Sequence, residues 1–158
     1  MAAAKNFLGT HPCKLDDKDR VAVPAKFRDQ IPEGPEGREL YLIPGACGCI
    51  EAYPFDRWQT ISKQLEGGPL QDKKLRTAAK LLFAHGAHAV PDGQGRVRLT
   101  EKLKAYAGIK EECVVVGGND HIEFWSPEKW AAFESTNMPD LDALLDSIAH
   151  SKESGNRV

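Results

Sequence analysis

The sequence contains the same short pattern twice, and this internal repeat restricts the possible folds more than any other feature. Residues 16–28 align with residues 92–104, 76 positions further along the chain, with Asp, Arg, Val and Lys at matching places. A second block, residues 50–58, aligns with residues 122–130 at a spacing of 72 positions. The two matches occur in the same order, which indicates a duplicated unit with one shortened loop in its second copy.

Each copy predicts the same succession of elements. A short strand, a tight turn rich in Asp and Gly, and a second strand are followed by a short helix, two β-rich runs and a closing helix. The turn favours a local hairpin, most strongly in the second copy, because Gly93 and Gly95 accommodate positive φ angles. The predicted segments are 13–15, 20–23, 24–30, 40–43, 50–53 and 54–65, and then 87–90, 96–99, 100–106, 113–116, 122–125 and 126–134.

A helix is predicted between the copies and another after them. Residues 72–85 place Leu75, Ala79, Leu82 and Phe83 on one face, and an acidic helix follows Pro139. The polar residues 151–158 are expected to fray. The expected organisation is a first half at 7–58 with its closing helix to about 66, a linking helix at 69–85, a second half at 86–130, and a C-terminal helix and tail at 131–158.

Chain length argues against two independent domains. Each half has only about 45 residues, too few to bury a core alone, whereas the whole chain needs neither disulfides nor metal. We therefore expect one α+β fold, a small β-barrel in which the two halves pair around a pseudo-twofold axis, flanked by helices.

Charge is unevenly distributed along the chain. The net charge is −2, but residues 1–110 hold 18 Lys/Arg and 13 Asp/Glu, and residues 111–158 hold 3 and 10. This gradient permits a basic binding face on a mildly acidic protein. No segment is apolar enough to span a membrane, and the N-terminus lacks the apolar stretch of a secretory signal, so a soluble cytosolic protein is expected.

The pattern Asp-x-x-x-Arg, at residues 16–20 and 92–96, has two interpretations that spacing alone does not separate. In the architectural one, Asp accepts backbone N–H groups in the turn and pairs with its Arg. In the functional one, the turn presents guanidinium groups, whose planar fork suits phosphate and the edge of guanine. The basic side chains concerned are Lys18, Arg20, Arg96 and Arg98.

Other chemistry is weakly supported. Cys47 and Cys49, with the remaining cysteines and histidines, do not have the spacing of strong zinc signatures, so reduced, buried thiols are favoured. No nucleophile–base pair or pair of catalytic carboxylates is recognisable. We expect no catalytic residue, no metal and no cofactor. Trp58 and Trp130 hold matching helix positions and are expected to anchor the core.

Several segments closely resemble the MraZ family: residues 6–10, 15–28, 92–96, 105–109 and 122–126. The resemblance extends from about residue 6 to residue 133. It implies two AbrB-like swapped-hairpin elements fused in one chain. It also implies a bacterial transcriptional regulator that binds DNA repeats upstream of the division and cell-wall gene cluster, commonly as a repressor, and assembles into a ring.

Residue roles follow from the resemblance position by position. Lys18 and Arg20 match the family's DNA-contacting hairpin, and Asp92 and Arg96 match the second motif. Asp19 stands where the family usually has Gly, which puts a negative charge beside the first hairpin; the second copy keeps Gly95. The predicted DNA-binding residues are Lys14, Lys18, Arg20, Arg28, Arg96 and Arg98, and the predicted turn-structuring residues are Asp16, Asp92 and Gly95.

Two functional hypotheses result, with a third as a minor alternative. The first is a non-enzymatic, nucleoid-associated regulator whose partners are double-stranded DNA with promoter repeats and further copies of itself. The second, motivated by Asp19 and the acidic C-terminus, is an oligomeric protein-interaction module with weak DNA affinity. The third is a metal-dependent hydrolase.

Overall fold

The computed structural model describes residues 6–155, which form eight strands and six α-helices. Two compact units divide the chain after Pro127. The strands are β1 Thr10–Lys14, β2 Arg20–Ala22, β3 Leu40–Pro44, β4 Ile50–Pro54, β5 Ala87–Ala89, β6 Arg96–Arg98, β7 Glu112–Gly117 and β8 Ile122–Trp125. The helices are α1 Ala25–Arg28, α2 Phe55–Leu65, α3 Lys73–His85, α4 Glu101–Ala107, α5 Pro127–Asn137 and α6 Leu141–Gly155, with 3₁₀ turns at Ala46–Gly48 and Met138–Asp140.

All predicted strands and helices are present, with ends shifted by a few residues at most. Thr100 caps α4, because its hydroxyl accepts a hydrogen bond from the backbone N–H of Leu103 at 3.3 Å. The prediction of fraying at the C-terminus is wrong as far as Gly155. Helix α6 continues because no Pro interrupts it, and its Ser151 and Ser154 hydroxyls bond carbonyls one turn back. Residues 156–158 lie outside the described part of the chain.

Six strands form one antiparallel sheet in the order β1-β7-β8-β4-β3-β5, and β2 pairs with β6 in a separate two-stranded ribbon. The hairpins β3–β4 and β7–β8 are local. Every other pairing joins the two copies: β1 with β7, β4 with β8, and β3 with β5. The sheet order is unchanged when the copies are exchanged, so the duplication seen in the sequence is also a symmetry of the strand arrangement.

Two expectations about pairing are wrong. The turn signals predicted local hairpins of 13–15 with 20–23 and of 87–90 with 96–99, yet these strands pair across the copies. Each turn carries the second strand out of the sheet, and Val21 and Val97 thereby face the core. The expected barrel is also not closed by strand pairing within residues 6–155, because β1 and β5 form the two edges of an open sheet. An α+β fold with an antiparallel sheet and flanking helices is confirmed.

The core lies between the inner face of the sheet, the ribbon and the two short helices. Alternate strand residues point inward, as a half-buried sheet requires. Phe27 of α1 and Leu103 of α4 hold the same place in the repeat and are both fully buried. The Phe7 and Phe27 rings meet edge to face with centroids 5.7 Å apart. Both copies therefore contribute equivalent parts of one core.

Helices α2 and α3 pack on the outer face of the sheet, around Tyr41 of β3. The Trp58 ring stacks on Tyr41 with centroids 5.3 Å apart and meets Phe83 of α3 edge to face. Trp58 is half-buried and lies outside the core, so its expected role as a core anchor is wrong; it attaches α2 to the sheet. Trp130 belongs to the second unit, where it stacks on Phe133.

Candidate nucleic-acid interface

The two Asp-x-x-x-Arg turns have the same geometry. The Oδ1 atom of Asp16 accepts the backbone N–H groups of the residues two and four positions later, both at 2.9 Å. Asp92 makes the same two bonds, at 2.9 and 3.0 Å. The hydrogen bond from the backbone N–H of Arg96 is the main reason why the pKa of Asp92 lies below its ordinary value. Burial raises the pKa of Asp16, but the N–H groups and guanidinium of Arg20 outweigh burial and lower it. Both carboxylates are thus charged and shape the turns.

The four side chains of these motifs form one cluster, which we name the charge quartet: Asp16, Arg20, Asp92 and Arg96. Within each copy, Nε of the arginine donates to Oδ2 of its aspartate, at 2.7 Å for Arg20 and 2.9 Å for Arg96. Across the copies, Nη1 of Arg20 lies 3.6 Å from Asp92, and Nη1 of Arg96 lies 3.5 Å from Asp16. The side chains are 26–33 % exposed. The quartet is neutral and ties the two turns together.

The ribbon β2–β6 carries the basic side chains on its outer face. Val21 pairs with Val97 and both are buried, so their neighbours on the two strands point away from the core. Arg20 lies opposite Arg98, which is exposed. Hydrogen bonds from Val23 N to the carbonyl of residue 95, and from Leu99 N to that of residue 19, fasten each strand to the other copy's turn at 2.9 Å. The ribbon is therefore a rigid platform shared by both copies.

Asp19 and Gly95 occupy equivalent left-handed positions, with φ of 59° and 74°. Lys104 Nζ donates to Asp19 Oδ1 at 2.6 Å and lowers the pKa of that carboxyl. At the other turn, Arg28 packs directly over Gly95 and its Nη1 donates to the carbonyl of residue 94 at 3.2 Å. Sequence reasoning missed the Asp19–Lys104 pair. The available signal was that Lys104 and Arg28 hold the same place in the repeat, each reaching the opposite turn.

The structure brings five of the six predicted DNA-binding residues to the ribbon and its turns, and separates the sixth. Lys18 and Arg98 are exposed, whereas Arg20, Arg96 and Arg28 already bond protein atoms. Lys14 lies on the edge strand β1, opposite Glu112. A shallow cleft there is otherwise bordered by Leu15 and the acidic residues Asp16, Asp17, Glu111 and Glu112. Its surroundings make Lys14 the least suited of the six to bind an anion.

The four cysteines are free thiols. Cys13 and Cys113 are paired residues of the neighbouring strands β1 and β7. Cys47 and Cys49 belong to a different segment of the sequence. Cys49 lies near Glu51 and Glu123, a grouping that could hold a cation. However, its thiol donates to the carbonyl of residue 46 at 3.3 Å, and burial raises its pKa well above the ordinary value. A cation that binds here would therefore have to displace the thiol proton.

His121 is held between two carboxylates. Its Nδ1 lies 2.8 Å from Asp120 Oδ1, its Nε2 lies 2.8 Å from Glu123 Oε2, and its ring stacks on Tyr53 with centroids 4.9 Å apart. Burial by itself lowers the pKa of His121, but the hydrogen bonds with Glu123 and Asp120 outweigh burial and raise the pKa to about 9. The imidazolium form is therefore the one that these neighbours stabilise.

This arrangement makes stability depend on pH in a defined direction. Because the folded pKa is raised, the contribution of His121 is complete below about pH 6.5 and is lost as pH rises through about 9. His121→Gln is expected to lower the free energy of unfolding by on the order of 2–3 kcal/mol at pH 6. Urea unfolding of both proteins at pH 6 and pH 9.5 measures the difference, which should shrink at the higher pH. An equal difference at both values would contradict the charged assignment.

Comparison with known proteins identifies the family of this chain. The family model described as "MraZ protein, putative antitoxin-like" matches residues 6–81 and residues 82–145. The protein named transcriptional regulator MraZ from Thermobifida fusca is 36% identical over 142 residues, covering 90% of this chain and 96% of the relative. The chain belongs to the MraZ family. Relatives with the same name occur in Frankia casuarinae, 39% identical over 142 residues, and in Lactobacillus gasseri, 38% identical over 145 residues; each alignment covers 90% of this chain and at least 96% of the relative.

Membership of the MraZ family confirms two further expectations. Its model matches twice in tandem, in agreement with the duplication. Its named members are transcriptional regulators, which are not enzymes, so the expectation of a non-enzymatic protein is confirmed. No helix within residues 6–155 has both the length and the apolar composition needed to cross a bilayer.

Proposed function

We propose that this MraZ family member regulates transcription by binding double-stranded DNA at repeated promoter elements of the division and cell-wall gene cluster, as a repressor. It acts as a ring-shaped homo-oligomer in the cytoplasm, at the nucleoid. The AbrB-like swapped-hairpin arrangement is part of this proposal, supported by the strand pairing between copies. The observation that carries the proposal is the ribbon β2–β6, which presents basic side chains from both copies on one rigid outer face.

Exposed and paired basic residues would have different roles on DNA. Arg98 and Lys18 are exposed and suited to contact phosphate or base edges. Arg20 and Arg96 each use Nε and one terminal nitrogen to contact the aspartates of the charge quartet. A guanidinium has five N–H donors, so each retains donors for phosphate while the quartet holds it in place. Arg28 and Lys104 would act mainly by fixing the turns.

Repetition of the DNA site compensates for the small area of a single ribbon. One short ribbon buries little surface, so a single protomer should bind weakly. In a ring, binding of one protomer raises the effective concentration of the next at an adjacent repeat. Affinity should therefore depend on the number of repeats more than on any single contact.

The proposal is tested by fluorescence anisotropy with upstream DNA fragments that carry one repeat, two repeats or scrambled repeats. We expect clearly tighter binding to two repeats than to one. If each protomer neutralises two phosphates, affinity for a single repeat falls about tenfold between 50 and 200 mM salt. Binding that is absent, or that does not respond to salt and repeat number, would contradict DNA recognition.

One observation favours a second function, an oligomeric protein-interaction module with weak DNA affinity. The charge quartet neutralises Arg20 and Arg96, which reduces the positive potential of the ribbon. The negative charge of Asp19 gives this alternative less support, because Lys104 forms an ion pair with that carboxylate. Assembly of the purified protein without salt-dependent DNA binding would favour the module.

A further inference from the structure

An open groove of about 600 Å³ lies between the end of α2 and the outer side of α3. Apolar side chains of Leu65 and Leu81 line it beside the buried Ala79, and Leu81 is 56 % exposed. Exposed basic side chains also line it: Lys73, Arg76 and Lys80. Exposed apolar surface surrounded by polar groups is typical of an interaction site. The groove is separate from the ribbon, since α3 packs on the opposite face of the sheet from the core that the ribbon covers.

Helix α6 has the complementary composition. Leu141, Leu144, Leu145 and Ile148 follow one another at helical spacing and are 42–55 % exposed. Asp142 flanks this apolar stripe, whereas Asp146 lies on the other side of the helix, and residues 138–150 contain no Lys or Arg. The stripe spans about 10 Å along the helix axis, two helical turns. Helix α3, with 13 residues, is about 20 Å long and can accommodate it.

We propose that α6 of one copy docks its apolar stripe into the α2–α3 groove of a second copy. The leucines and Ile148 would cover Leu65 and Leu81, while Asp142 of α6 meets the basic residues of the groove. This is helix-in-groove recognition, with anchors at positions i, i+3, i+4 and i+7. The inference deepens the assembly part of the proposed function, because it names the surfaces through which the copies would associate.

The charges favour this occupant over nucleic acid. DNA would match the basic residues of α3 but would leave the apolar groove and the apolar stripe of α6 exposed to water. An acidic amphipathic helix satisfies both the apolar and the basic parts of the groove, and every copy of the chain carries one. A contact between two different surfaces of identical chains continues head to tail, and it closes into a ring when the rotation between copies allows it.

Charge reversal on each surface, followed by mixing, tests the proposal. The groove variant carries Arg76→Glu and Lys80→Glu, and the helix variant carries Asp142→Lys. Light scattering coupled to size-exclusion chromatography measures the mass of each variant, and circular dichroism verifies folding. We expect the parent to be oligomeric and each variant alone to need at least about tenfold higher concentration to assemble, a loss that corresponds to 1.4 kcal/mol.

An equimolar mixture of the two variants should restore the parent's mass. When the two variants alternate, each contact joins either a reversed groove to a reversed α6 or an original groove to an original α6. Both kinds of contact join opposite charges and are therefore attractive. The control, with Lys63→Glu and Lys110→Glu, should assemble like the parent. Failure of the mixture to assemble would overturn the inference, and so would assembly of each variant alone like the parent. Loss of DNA affinity by the groove variant with assembly unchanged would assign α3 to DNA instead.

The same measurements separate this inference from the proposed function. A parent that stays monomeric at all concentrations overturns both the docking and the ring, whereas salt-dependent binding of that monomer to one repeat would still support DNA recognition. An oligomeric parent whose variants also remain oligomeric overturns only the docking of α6.

Discussion

Gly95→Val is expected to lower the free energy of unfolding by about 2–4 kcal/mol. Gly95 has a φ of 74°, a conformation that a β-branched residue adopts only under strain. A Cβ at this position would also run into the Arg28 guanidinium group and displace it from the carbonyl of residue 94. Urea unfolding followed by circular dichroism measures the loss.

Gly93→Val is the matched control for this substitution. Gly93 lies in the same turn, has no positive φ, and a Cβ built there meets nothing within 4 Å. Its replacement should therefore change stability by no more than about 0.5 kcal/mol, as for an ordinary surface position. Similar losses in the two variants would contradict this explanation. They would mean that the close packing of Arg28 on residue 95 does not distinguish the two positions.

Arg98→Glu is expected to weaken DNA binding about tenfold on a single repeat and about a hundredfold on two repeats, because each engaged ribbon loses the contact. Arg98 is exposed on the outer face of β6, where its charge contributes to lowering the pKa of Asp19. Stability should remain close to that of the parent. Fluorescence anisotropy at two salt concentrations measures the affinity, and the salt dependence should become shallower.

Lys63→Glu changes the net charge equally and is the control. Lys63 is exposed on α2, the helix packed on the opposite side of the sheet from the ribbon. We expect its affinity to stay within about threefold of the parent, since long-range charge is largely screened at physiological salt. Equal losses for both variants would mean that net charge, and not the ribbon, determines binding.

The repeat made much of this structure predictable. It aligns Gly95 with Asp19, and both residues have the left-handed conformation that the turn requires. Element positions followed from periodicity and from caps such as Thr100. The α+β composition followed from the same segments. These features depend on neighbours within one copy, which is the information that a local pattern contains.

Local sequence patterns contain little information about which strands pair between the copies. The turn signal of Asp92 to Arg96 is the same whether the flanking strands pair with each other or with distant partners. Which pairing occurs depends on where Val21 and Val97 bury their side chains, a property of the assembled core. The same holds for the Lys104–Asp19 pair, whose members are 85 residues apart, and for the charge quartet.

The exchange of strands between the copies also determines when the protein can fold during its synthesis. Cys13 of β1 pairs with Cys113 of β7, one hundred residues later. At elongation rates of roughly 5–20 residues per second, the nascent β1 edge waits about 5–20 s for its partner to be made. During that interval the first copy exposes an unpaired strand and an incomplete apolar face, and this is when a chaperone would protect it most.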